Sequence, residues 1–140
     1  MAKAEAAACM SKMRGIHGAL SSYIRDRGQW PQPPEDLWQQ ASEDAFEDWW
    51  ITEMEPYGLQ PRDWQCPTAA RFLRSKNQER PRMHYSPTPF DAKPFTPYRW
   101  ATQPWLIEIG NMHGRGAHIL FPDGSFKVMS DFMPAAQNLQ

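Results

Sequence analysis

The sequence predicts an α+β fold, because apolar residues with helical spacing near its start give way to short strand-like runs near its end. At 140 residues the chain suits one domain. Asp123-Gly124 separates two such runs, which is a strong signal for a β-hairpin. The helical stripe follows an alternating spacing of three and four residues and consists of Cys9, Met13, Ile16, Leu20 and Tyr23.

Four regions follow one another within this single domain of residues 1–140. Gly28 is suited to end the first helix, and Pro34 is suited to the start of the second. A short helix is expected from Pro67, although most of the surrounding segment is rich in proline and reads as ordered loop. The regions are an N-terminal helix over 1–27, a second helix over 35–55, a loop-rich insert over 56–104 and an antiparallel sheet over 105–130.

Charge and hydropathy exclude two classes of protein. The formal net charge of −1 argues against a general nucleic-acid binder, and no apolar run approaches the roughly 20 residues of a membrane-spanning helix. The charges are nevertheless segregated, with eight acids and no Lys or Arg over 31–55 and six Lys and Arg residues over 56–82. These segments are two solvated faces or complementary contacts between copies. The candidate contact residues are Glu47, Asp48, Arg71 and Arg74.

The sequence contains no recognisable catalytic motif. It lacks a G-x-S-x-G elbow, a Gly-rich phosphate loop and a C-x-x-C pair, so we expect no enzyme. Cys9 and Cys66 are either a disulfide, as in an envelope protein, or two free thiols, as in the cytosol. We expect the tryptophans to supply a small core, and they are Trp30, Trp38, Trp49, Trp50, Trp64, Trp100 and Trp105.

The motif near the C-terminus gives the first indication of a family. His113 precedes Asp123-Gly124 by nine intervening residues, which gives H-x9-D-G. Cys66-Pro67 and the segment over 8–31 also fit, in the expected order. Together these segments resemble prepilin-like proteins related to the major pseudopilin of type II secretion.

The resemblance implies a pilin-like fold, in which a long N-terminal helix lies across a small antiparallel sheet. It further implies a non-enzymatic subunit that self-assembles with other pilin-like subunits into a pseudopilus or type IV pilus. A secretion or pilus machinery would be its partner in this assembly. The location would be the cell envelope, as a periplasmic domain anchored in the inner membrane. The membrane half of the helix is absent from the sequence, and we expect residue 1 to lie where the soluble half begins.

Two alternatives remain open alongside this interpretation. His113, Asp123 and Gly124 have a structural role if they fix a loop and a turn. The resemblance also suggests a calcium site, for which the local oxygen donors are Asp123, Ser125, Asp131 and nearby carbonyl groups. Apart from calcium, we expect no cofactor. The second possible function is a pilin-derived binding module that holds a ligand or a secreted partner with its Trp- and Pro-rich loops.

Overall fold

The computed structural model describes residues 2–39, 43–78, 81–109 and 116–128, with the backbone alone at 2–6 and 38–39. Helix α1 spans Ala2–Arg27. It ends at Gly28, whose φ of 72° is left-handed and whose N–H donates to the carbonyl oxygen of Ile24 at 2.7 Å. The stripe predicted from Cys9 to Tyr23 is buried along its whole length, which confirms the amphipathic helix.

Helices α2 and α3 lie where the sequence predicts one helix over 35–55. Residues 40–42, between them, are outside the described residues. Helix α3 passes directly into a 3₁₀ turn, which ends at Gly58 with a φ of 94°. The bounds are α2 Glu35–Gln39, α3 Glu43–Met54, α4 Pro67–Ser75 and α5 Thr96–Arg99, with 3₁₀ helices at Glu55–Tyr57 and Pro61–Trp64.

The sheet has four antiparallel strands in the order β1-β2-β3-β4. The strands are β1 Tyr85–Pro87, β2 Leu106–Glu108, β3 His118–Leu120 and β4 Phe126–Val128. The antiparallel sheet predicted over 105–130 is confirmed, and the hairpin of β3 and β4 surrounds Asp123-Gly124. The loop-rich insert over 56–104 contains the short helix expected from Pro67, which is α4, but it needs correction because it also contributes α5 and the edge strand β1, which pairs with β2.

The core lies between α1, the other helices and one face of the sheet. Trp30, Trp50, Trp64 and Trp105 are all fully buried there, and their rings meet edge to face. Trp49 is partly buried against this core. The expectation that Trp100 is a core residue is wrong, because it is 50% exposed. The side chain of Trp38 lies outside the described residues.

Helix α1 is the element that ties these parts together. It packs against α3, α4, both 3₁₀ helices and β3. The hydroxyl group of Tyr23 donates a 2.5 Å hydrogen bond to Glu53 of α3, and the amine of Lys12 donates to the carbonyl oxygen of Arg62 at 3.0 Å. Within the described residues, none of the helices combines the length and apolar character needed to cross a bilayer.

Candidate interaction surfaces

The D-G pair of the sequence motif forms the turn of the β3–β4 hairpin. The Gly124 φ of 85° is left-handed, a conformation that side chains with a Cβ rarely adopt. The N–H of Gly124 donates to the carbonyl oxygen of Phe121 at 2.9 Å. The structural role predicted for Asp123 and Gly124 is therefore seen directly, whereas His113 lies outside the described residues.

Asp123 is held by Ser125, its neighbour in the turn. Its Oδ1 accepts hydrogen bonds from the Ser125 hydroxyl group at 2.6 Å and the Ser125 N–H at 2.9 Å. These two bonds hold the pKa of the Asp123 carboxyl group below its usual value. A calcium ion at Asp123 and Ser125 would have to compete with this turn, and the third candidate ligand, Asp131, lies outside the described residues.

His17 connects this turn to α1, a contact that sequence analysis missed. Its ring stacks on Trp105 with 4.8 Å between the ring centroids. Its Nε2 lies 2.7 Å from the carbonyl oxygen of Pro122. A Cβ placed on Gly124 would lie 3.7 Å from the same ring. The only sequence signal for this contact was the position of His17 beside the buried stripe of α1.

Cys9 and Cys66 form a disulfide that joins α1 to the residue before α4. The two Cα atoms are 5.1 Å apart, and the cysteines are separated by 57 positions in the chain. Both residues are fully buried. Of the two alternatives that the sequence left open, the structure contains the bridge.

Buried polar groups surround this disulfide. A carboxylate oxygen of Glu108 lies within 4.8 Å of both sulfur atoms, but sulfur atoms in a disulfide supply no thiolate ligands, so the group is not a metal site. Glu108 is paired across the sheet with His118, whose Nδ1 is 3.2 Å from its Oε1. The Tyr85 hydroxyl group donates to the carbonyl oxygen of Cys9 at 3.4 Å, and burial raises the tyrosine pKa.

His84 lies beside the same bridge in a defined tautomer. Its Nδ1 accepts from the N–H of Cys66 at 2.9 Å, so that nitrogen carries no proton. Its Nε2 is 3.0 Å from the carbonyl oxygen of Pro81, to which it donates. Burial lowers the pKa of His84, because the charged ring would lose its hydration there.

Glu47 is not available for a contact between copies, which corrects the prediction for this residue. Its side chain is only 7% exposed. Its Oε2 accepts from the N–H of Arg82 at 2.9 Å and from the N–H of Met83 at 2.7 Å. The Arg82 guanidinium also bonds Asp44 and Asp48, each at 2.8 Å. Glu47 therefore fixes α3 to the segment that leads into β1.

The other three predicted contact residues lie at the surface. Asp48 has a side chain that is 64% exposed, although it pairs with Arg82. Arg71 and Arg74 are exposed on α4, which buries Ala69 and Leu73 on its opposite face. The acidic and basic faces therefore exist on α3 and α4, and whether they meet in an assembly stays a prediction.

An exposed aromatic cluster, formed by Phe95, Tyr98 and Trp100, lies in the loop between β1 and β2. Phe95 is 81% exposed. The loop is anchored beneath the cluster, because the indole N–H of Trp105 donates to the carbonyl oxygen of Pro97 at 2.7 Å. This hydrogen bond holds the backbone that carries the three rings against the core. Sequence analysis could not separate these aromatic residues from those of the core.

A groove of about 170 Å³ lies between α3 and β1. Its walls are largely apolar and include Phe46, Met83 and Ile109, while the exposed acid Glu43 lines it as well. Ser86 and Pro87 contribute the wall made by the edge strand. A groove of this size and composition is suited to a single apolar side chain.

Comparisons with protein-family models, with curated proteins and with solved structures return no significant match.

Proposed function

We propose that the chain is a pilin-like structural subunit that acts by self-assembly rather than by catalysis. Its place would be the cell envelope, as the periplasmic part of a protein anchored in the inner membrane. The motif resemblance supports this proposal, and the α+β architecture, with a long N-terminal helix packed against an antiparallel sheet, is compatible with it.

The observation that carries the proposal is the outward face of α1. While one face of the helix is buried in its own domain, Ser11, Gly15 and Gly18 are exposed on the other. A Cβ built on either glycine would meet no atom within 4 Å among the described residues. Small residues at such spacing let another backbone approach closely. The face is therefore suited to packing against a neighbouring subunit.

The test is to fill this face without adding apolar surface. We expect Gly15→Gln and Gly18→Gln to raise the free energy of unfolding slightly, because the space is open and glutamine favours the helix over glycine, but to weaken self-association. Thr52→Gln, at an exposed position of α3, is the matched control. Sedimentation velocity over a concentration series and negative-stain electron microscopy provide the readouts.

Two results would contradict the proposal. One is a wild-type chain that stays monomeric at every concentration, and the other is association of both glycine variants at the wild-type level.

A second function, a binding module, is favoured by one observation, the exposure of Phe95, Tyr98 and Trp100. Arg99 adds a cation 4.9 Å from the ring centroid of Trp100. Exposed aromatic rings beside cations are suited to stacking against a ligand. Loss of binding to an immobilised glycan or secreted protein in Trp100→Ala, with unchanged self-association, would favour this function.

A further inference from the structure

We propose that a second contact between copies, separate from the α1 face, is formed by Phe95 of one subunit inserting into the groove between α3 and β1 of the next. This inference rests on the self-assembly proposed above and adds to the α1 face two further surfaces that meet each other. Phe95 is the most exposed large apolar side chain in the described part of the chain, at 81%. An apolar ring in water is stabilised when it is covered.

The groove has the right size for this ring. Its volume is about 170 Å³, and apolar cavities of roughly 150 Å³ bind benzene. Its apolar wall includes Phe46 and Met83, which would surround an inserted ring. A groove of this volume can therefore accommodate the ring of a phenylalanine side chain.

Phe95, which forms the knob of this contact, is held in position by hydrogen bonds within its own loop. The carbonyl oxygen of Phe95 accepts from the N–H of Tyr98 at 3.1 Å. One turn earlier, Asp91 accepts from the N–H of Lys93 at 2.9 Å. Because these bonds already order the backbone, docking would cost little further conformational entropy.

The knob and the groove are different surfaces beside the same pair of strands. The loop that carries Phe95 leaves β1 after Pro87 and enters β2 at Leu106. The groove extends to the other end of the same strand pair, where Met83 and Ile109 lie. Copies joined in this way would make a head-to-tail contact, because each copy contributes a different surface. Such a heterologous contact generates an open filament unless its rotation closes a ring.

Charges near the two surfaces are complementary. Lys93 and Arg99 are exposed on either side of the knob and outnumber the exposed Asp91 of the same loop, and Glu43 is exposed at the groove. Opposite charges around an apolar contact fix its register and disfavour the reverse orientation.

The edge strand itself favours insertion of a side chain over addition of a strand. Pro87 has no N–H, so β1 offers an added strand one donor fewer than an ordinary edge. The groove beside β1 remains open to a side chain of a neighbouring copy.

Two variants test the contact, each of which destroys one half of it. Phe95→Ser removes the knob and keeps the groove, while Ser86→Trp fills the groove from an exposed position and keeps the knob. We expect each variant alone to self-associate at least about tenfold more weakly than wild type, because a central buried aromatic anchor is lost or blocked. Phe72→Ser, at another exposed aromatic residue, is the control and should associate normally.

Mixing the two variants is the decisive measurement. The mixture retains one intact knob and one intact groove. In chains that also carry Gly15→Gln and Gly18→Gln to remove the α1 contact, Phe95→Ser and Ser86→Trp should therefore form a 1:1 dimer by sedimentation although neither associates alone. In a second arm, Glu43→Lys should weaken association and Lys93→Glu in the same chain should restore it. Far-ultraviolet circular dichroism checks that every variant is folded.

The outcomes separate this inference from the proposed function. Wild-type association with no loss in Phe95→Ser and Ser86→Trp, or no dimer on mixing, overturns the knob-and-groove contact and leaves self-assembly standing. A wild-type chain that never associates overturns both. If Phe95→Ser associates normally but loses binding to vesicles of anionic phospholipid, the ring serves a membrane surface and the inference is wrong.

Discussion

Replacing Glu47 by alanine should destabilise the domain far more than the same change at Asp48, one position along α3. Glu47 accepts hydrogen bonds from two backbone N–H groups, those of Arg82 and Met83, and its side chain is only 7% exposed. A buried donor that loses its partner, as the Met83 N–H would, costs about 1–3 kcal/mol, and the part-buried Arg82 N–H adds a smaller loss. Asp48, 64% exposed, contributes an ion pair of about 0–1 kcal/mol.

The assay is urea unfolding followed by tryptophan fluorescence, since Trp30, Trp50, Trp64 and Trp105 are fully buried. Both substitutions introduce the same residue into the same helix, so helix propensity largely cancels in the comparison. Glu47→Gln should fall between the two, because it keeps one oxygen acceptor. Equal losses below about 1 kcal/mol at Glu47 and Asp48 would refute the assigned role of Glu47.

Three further predictions concern stability. Replacing Cys9 and Cys66 by alanine should lower the free energy of unfolding by about 4 kcal/mol, the chain-entropy value for a bridge across 57 positions; a double variant as stable as wild type in urea would contradict it. Gly15→Ala and Gly18→Ala should each stabilise the monomer by about 0.5–1 kcal/mol, because the added methyl group meets open space; a lower thermal midpoint would mean that the space is occupied. The lowered pKa of His84 means that the unfolded chain takes up a proton before the folded one does, so stability is complete above about pH 6.5 and declines as the pH falls below it; the decline should be smaller in His84→Asn, and equal slopes would exclude His84 as its source.

Local signals explain the parts of the fold that the sequence predicts. The spacing from Cys9 to Tyr23 identifies α1, because a helix that buries one face must repeat apolar residues at that period. Asp123-Gly124 identifies the hairpin, because the turn requires a left-handed residue. Both features depend only on residues that are close in the chain.

Features that depend on distant partners could not be predicted in this way. Strand β1 is three residues long and contains Pro87, so it becomes a strand only through its pairing with β2. Glu47 resembles its acidic neighbours in sequence, and its burial depends on Arg82, 35 positions away. Trp100 and Trp105 are equally hydrophobic, yet only Trp105 is buried, because burial is set by the tertiary fold rather than by residue type.

The disulfide also determines the path that a mechanical load would take through the molecule. Tension applied through α1 would pass at Cys9 into a covalent bond and leave at Cys66. The residues from 10 to 65, which include most of α1 and all of α3, lie inside the closed loop and would bear little of that load. A pulled chain would therefore keep this loop joined after its noncovalent contacts had failed, and in a single-molecule extension measurement the length of residues 10–65 would appear only after reduction.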